Sequence, residues 1–256
     1  TMTTTSTSRG SCGTEPAVAP HGTGRVRRVA TDRRGGVSTG DFDSFNLGDH
    51  VGDAPAAVAA NRARLARRLG LPTSDVVWMD QVHGTRIARV TRATGGPVPA
   101  TDGLVTDKPG LALAVLTADC VPVLAADSEA GVIGAVHAGR VGAVGGIVPA
   151  LIGAMTSLGA RAERITVLLG PAAAGEHYEL PEEMVAEVEA ALPGSRTRTI
   201  AGTTGVDLRK GITRQLAELG VTNVDSDPRC TIADESLYSY RRQGRTGRQA
   251  SVIWRD

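Results

Sequence analysis

Residues 111–140 read LALAVLTADCVPVLAADSEAGVIGAVHAGR, and this stretch decides the fold. Leu111–Leu116 is a continuous apolar run. A strand with one wet face alternates apolar and polar residues, so an unbroken run predicts a strand buried on both faces. The run enters Thr117-Ala118-Asp119-Cys120 and resumes as Val121–Ala125. Pro122 lacks a backbone N–H, which predicts a bend or a sheet edge there. Ser128–Gly131 forms a turn, and Gly131–Val136 is a second buried strand that ends on His137. Ala138-Gly139-Arg140 reads as a tight corner, followed by a helix rich in Gly and Ala over Val141–Leu158.

The flanks extend the pattern. Arg25–Ala30 is a first strand, and Gly35-Gly36 a turn. Phe45 to Asp53 (FNLGDHVGD) is polar and glycine-rich, a loop. Pro55 then takes the favoured first-turn position of a helix. Val58, Arg62, Leu65 and Leu69 recur along it at helical spacing, and Gly70 stops it. Val76–Met79 and Arg86–Val90 are short strands around Gln81-Val82-His83-Gly84. Ile165–Leu169 is a further buried strand. Pro181–Leu192 is a helix with acidic residues in its first turn. Asp207 caps another that runs to Leu219 and stops at Gly220. Ala250–Trp254 is the last strand. Helices and strands interleave, yet several strands follow one another directly. The expected class is therefore mixed α+β rather than a regular doubly wound sheet.

The 256 residues include 41% hydrophobic but only 3% aromatic residues, so the core is built from Ala, Val, Leu and Ile. A net charge of +1 argues against a nucleic-acid binder, which shows a basic excess. No apolar stretch is long enough to span a bilayer. Residues 1–24 are rich in Thr, Ser, Gly and Pro; they predict a dispensable disordered tail ahead of one domain over residues 25–256. No secretory pattern is visible in them. Three cysteines, Cys12, Cys120 and Cys230, make no disulfide framework. A cytoplasmic location is expected.

Among five histidines, His83 and His137 share with Cys120 a position at a strand end or in a glycine-bounded corner. Two imidazoles and a thiolate suit zinc and leave a fourth position open. Their spacing forms no compact metal motif. A small core cysteine with two half-buried histidines is the plainer reading of the residues alone. A thiol hydrolase with Cys120 as nucleophile and His137 as base is another reading, and a non-enzymatic binding protein a third.

The runs NLGDHVGD, NR at 61–62, QVHG at 81–84, TDGLVT at 101–106, TADCVPVL at 117–124, HAG at 137–139, GP at 170–171 and SYRRQGRTGR at 239–248 resemble one family in the same order. It is the YfiH-type laccase-domain family, also called multicopper polyphenol oxidase and peptidoglycan editing factor. The resemblance covers about residues 25 to 256. It implies a central mixed β-sandwich flanked by helices, with zinc held by His83, Cys120 and His137. It also implies zinc-dependent purine nucleoside chemistry: phosphorolysis, with phosphate as co-substrate, and deamination of adenosine. A zinc amidase acting on a cell-wall precursor is the alternative that the editing-factor name carries. Copper fits less well, because so few Cys and His cannot furnish a multicopper centre.

Two departures bear on substrate. The family's HAGWRG is His137-Ala138-Gly139-Arg140-Val141-Gly142 here, and its two cysteines before a tyrosine are Glu176-His177 before Tyr178. Arg140, at a helix start beside His137, is the expected phosphate-binding residue. Asn46 in the NLG loop is the expected partner for sugar or base. His177 is expected on an exposed loop. Asp119 is considered as a proton carrier for deamination, with a strand-end cap as its plainer role.

Overall fold

The computed structural model describes residues 24–256, so residues 1–23 of the expected tail, with Cys12 and His21, lie outside the described residues. In chain order the strands are β1 (Val26–Ala30), β2 (Val76–Val77), β3 (Ile87–Arg89), β4 (Gly103–Thr106), β5 (Ala112–Thr117) and β6 (Val121–Asp127). They continue with β7 (Val132–Ala138), β8 (Thr166–Leu169), β9 (Arg196–Arg198), β10 (Thr204–Val206), β11 (Asn223–Ser226) and β12 (Gln249–Arg255). The helices are α1 (Pro55–Leu69), α2 (Arg140–Val144), α3 (Ile147–Thr156), α4 (Glu182–Ala191), α5 (Leu208–Glu218) and α6 (Tyr240–Gln243). No helix among the described residues is long and apolar enough to cross a membrane.

Two mixed sheets stack face to face. One has the order β1-β12-β5-β2, the other β11-β8-β6-β7-β4-β3, and β9–β10 is a separate hairpin. Side-chain alternation assigns the faces. Leu113 and Val115 of β5 pack with Ile253 of β12 against Leu104, Leu124, Ile133 and Ala135 of the other sheet. The intervening Ala112, Ala114 and Leu116 face outward, against Leu65 and Ala66 of α1 with Phe45 and Leu47. On the far side, Val105, Val123, Ala125 and Val136 meet Leu151, Val188, Ile212 and Leu216 from α3, α4 and α5. The layers thus run helix, sheet, sheet, helices. Both faces of each sheet are covered, which is why β5 to β7 are apolar without alternation.

The structure differs from the sequence reading in two places near the centre. The helix expected over Val141–Leu158 is two helices, because Gly145 ends α2 and Gly146 turns left-handed at φ +91° before α3. Pro122 is not on an edge strand: β6 lies between β7 and β8. Pairing with β8 begins only at Val123, so the missing N–H falls at the end of the shared stretch.

Candidate metal centre

His137 continues the row of Ile133 and Ala135 that faces the opposing sheet, so β7 delivers its imidazole to one end of the space between the sheets. Cys120 lies on the corner by which the chain crosses from β5 in one sheet to β6 in the other. Asp119 sits there at φ +110°, a conformation that costs energy for a side chain with a Cβ. Three bonds hold it. Its carboxylate accepts from Thr231 Oγ1 and from the backbone N–H of Arg241, both at 2.7 Å. Its carbonyl accepts from the N–H of Ala173 at 2.9 Å. The strained corner is therefore fixed from three directions, and Cys120 is aimed inward by it.

His83 stands in the loop between β2 and β3, itself left-handed at φ +61°. Asp102 stabilises that loop from below. Its carboxylate accepts the N–H groups of Val82, His83 and Gly84 at 3.1, 2.9 and 2.7 Å. The same carboxylate accepts from His137 Nδ1 at 2.9 Å. Asp102 is wholly buried and His137 nearly so, 3% exposed. Gln81 fastens the other end of the loop, donating to the carbonyl of Leu116 and accepting from its N–H, each at 2.8 Å.

The three donor atoms of His83, Cys120 and His137 lie within 4.8 Å of one another. His83 Nε2 is 3.9 Å from Cys120 Sγ, and the two imidazole rings meet edge to face at 4.7 Å. Nitrogen and sulfur ligands around one tetrahedral zinc ion stand about 3.6 Å apart. The set thus needs little movement to close on an ion. Exposure is graded from exposed His83 through half-buried Cys120 to buried His137, so the centre is open on one side. Gly139 makes room for it, since a Cβ there would lie 2.9 Å from Cys120 Sγ and 3.0 Å from His83 Cδ2.

Charge is shared across the cluster. Burial pushes the Cys120 thiol up, but the imidazoles of His137 and His83 outweigh it and bring it down to about 6. Burial lowers His137, but the Cys120 thiolate and Asp102 carry it up to about 9. Burial likewise raises the Asp102 carboxyl, and the bonds from His137, Gly84 and Val82 more than offset that, holding it below the usual carboxylate range. Because Asp102 takes the Nδ1 proton, Nε2 of His137 is the nitrogen left for a metal.

The cluster forms one wall of a cavity of about 290 Å³, near the lower end for small-molecule sites. The other walls carry His50, Asp119, Tyr178, Tyr240, Arg241 and Arg248. Arg241 lies over the Tyr178 ring at 5.1 Å. Burial and the neighbouring Arg248 hold His50 below the usual imidazole range.

His83, Cys120 and His137 are thus brought together, whereas the other expected site residues stand apart. Asn46 is fully buried and not in the cavity wall. Its amide donates to Gly48 and Asp53 and accepts from the N–H of Gly48 and of Arg248, which leaves nothing to offer a substrate. Arg140 is not among the residues lining the cavity and pairs with Glu187 at 3.2 Å. The helix it begins has only five residues, too short for a strong terminal dipole. His177 also lies off the wall, 3.4 Å from Glu176. Sequence reasoning passed over Asp102, although it stands in the quoted TDGLVT run, and did not assign His50 or single out Arg248.

A relative in Mycobacterium tuberculosis named purine nucleoside phosphorylase is 61% identical, over 90% of this chain and 92% of its own length. One of the same name in Corynebacterium glutamicum is 58% identical, over 90% and 94%. The crystal structure of the hypothetical protein YfiH from Bacillus licheniformis superposes with a TM-score of 0.85 at 31% identity, covering 90% of this chain and 93% of that one. The model of the multi-copper polyphenol oxidoreductase laccase family matches residues 27–256. Since that match runs from within β1 to beyond β12, it takes in nearly all of both sheets and every helix of the described residues, and the chain belongs to this YfiH-type laccase-domain family.

Proposed function

We propose that this chain is a zinc-dependent purine nucleoside phosphorylase. The observation that carries the reading is the convergence of His83, Cys120 and His137 on the wall of a small cavity that also holds aromatic and cationic side chains. The name shared by close relatives supports it. Two imidazoles and a thiolate are a donor set for zinc with one position open, and when bound there zinc supplies Lewis-acid stabilisation of developing negative charge. Among the described residues this is the single cluster of its kind, which suits one ion rather than the several of a multicopper centre.

The chain's own residues divide the remaining work. Asp102 keeps the proton on Nδ1 of His137 and fixes the backbone that carries His83. Tyr178, backed by Arg241, and the largely exposed Tyr240 offer ring faces for a base. In phosphorolysis a phosphate oxygen bonds to C1′ of the ribose as the bond from C1′ to the purine nitrogen breaks. The electron pair leaves with the base, which takes up a proton. Adenosine deamination needs a group to carry protons. Asp119, the carboxylate in the wall, is already engaged by Thr231 and Arg241, so the geometry favours phosphorolysis.

The test is product analysis with adenosine and inosine, with and without phosphate, alongside metal content. Free base and ribose 1-phosphate formed only with phosphate support the reading, with about one zinc per chain. Ammonia release without phosphate would replace it by deamination. Full turnover in metal-free protein, abolished by alkylating Cys120, would replace it by a thiol mechanism.

A further inference from the structure

We propose that Arg248 binds an oxyanion of the phosphate class beside the His83–Cys120–His137 cluster, and that the Asn46–His50 loop serves to aim it. The identity of the anion rests on the phosphorolysis reading; the site itself stands on the following contacts.

Several half-buried arginines of this fold have their charge answered by a carboxylate within 4 Å. Arg62 meets Asp49, Arg164 meets Asp127, Arg229 meets Asp227 and Arg140 meets Glu187. Arg242 lacks a carboxylate but spends its guanidinium on four backbone carbonyls. Arg248 is different. Its Nη1 donates to the carbonyls of Thr246 and Gly247, and among the described residues its Nε and Nη2 have no partner. These atoms are not sealed in the core, and the residue lines the cavity. Among the described residues no carboxylate stands within ion-pair distance of it, and Cys120 and Asp119 answer its charge only from farther along the cavity wall, so an anion entering the cavity and reaching Nε and Nη2 directly gains charge-assisted hydrogen bonds.

Its position is enforced. The backbone N–H of Arg248 donates to Asn46 Oδ1 at 2.8 Å, and its carbonyl accepts from Leu47 at 3.0 Å. Gly48 leaves the space through which the side chain runs: a Cβ there would lie 2.8 Å from Arg248 Cγ. Asn61, from α1, donates to the carbonyls of Ser44 and Asn46 and so clamps the start of this loop. The NLGDHVGD and C-terminal arginine motifs are thereby one device, the first holding the second in place.

Binding of inorganic phosphate to the zinc-loaded protein, without nucleoside, is measured by calorimetry for the unaltered chain and for R248Q, G48A and R140Q. Loss of a charge-assisted hydrogen bond predicts a Kd raised about 10- to 150-fold in R248Q. G48A, which keeps every charge, should weaken binding in the same direction, and R140Q should stay within about twofold. Melting temperatures confirm that each variant is folded. A parallel titration with a purine nucleoside 5′-monophosphate identifies the source of the anion. If the nucleotide binds more tightly than phosphate and R248Q erases the difference, the anion arrives on the substrate. Unchanged phosphate binding in a folded R248Q overturns the proposal, as does an equal loss in R140Q. Because no turnover is read, absence of phosphorolysis leaves this result standing, and the two readings fail separately.

Discussion

Asp102, wholly buried, meets the nearly buried His137 at 2.9 Å, and the same carboxylate gathers three N–H groups of the loop that carries His83. One buried acid thus orients two of the three side chains of the candidate metal centre. Replacing a carboxylate that orients a ligating histidine typically costs 10- to 100-fold in metal affinity. D102N should fall in that range by zinc competition against a chelator. It should also melt earlier, because its amide presents N–H groups to N–H groups. Unaltered zinc affinity in a folded D102N would show that the pairing is architectural only.

The thiol of Cys120 provides a pH test. Burial opposes ionisation, but the two imidazoles outweigh burial and bring the group down to about 6. In chelator-treated protein the alkylation rate of Cys120 should therefore rise with pH through a midpoint near 6, not near the ordinary thiol value of about 8.5. In H137A the largest opposing charge is gone, so the midpoint should move upward. A midpoint of about 8.5 in the unaltered protein would remove the ion pair from the description.

Glycines 139 and 153 should respond to alanine in opposite ways. At Gly139 the new methyl group meets Cys120 Sγ at 2.9 Å and His83 Cδ2 at 3.0 Å, so zinc content should drop while the sandwich stays folded. At Gly153, exposed within α3, nothing lies within 4 Å of the added Cβ. There alanine should stabilise the helix by about 0.5–1 kcal/mol. Zinc content and melting temperature of the two variants, measured side by side, check both halves.

Asn46→Ala should be felt as lost stability. It strips partners from the N–H of Gly48 and of Arg248 and from Asp53 in a buried setting. Each orphaned group costs about 1–3 kcal/mol where water cannot replace the partner, and every 1 kcal/mol lost lowers the melting temperature by about 2–4 °C in a protein of this size, so a drop of at least several degrees is expected. A variant that melts normally would return Asn46 to the list of substrate contacts.

How much of this was legible in the sequence depended on range. The buried strands and the placement of His83, Cys120 and His137 at element ends were readable, because unbroken apolar runs and glycine corners are local signals. Asp102 was not, since its role is defined by partners at 82–84 and 137 that only the folded chain brings near. The same holds for Arg248, one of four arginines in a single run, which is distinguished by what its neighbours do not offer it. The short strands β9 to β11 carry mixed residues over three or four positions, too few to establish a period. Arg140 shows the same limit of range. Its charge beside His137 suggested an anion, whereas Glu187, far along the chain, supplies the answering charge.

Cys120 rides on the crossover that joins the two sheets, His137 belongs to one sheet, and His83 follows a strand of the other. An ion held by all three would act as a covalent-like staple across the seam. It closes the chain between positions 83 and 120, and again between 120 and 137, much as a disulfide shortens the freedom of an unfolded polymer. On the zinc reading proposed above, stability would be a function of free zinc, rising with RT ln(1 + [Zn]/Kd). Starvation for the metal should first loosen this end of the sandwich, so that in such a cell the supply of an inorganic nutrient sets how long the protein lasts as well as whether it works.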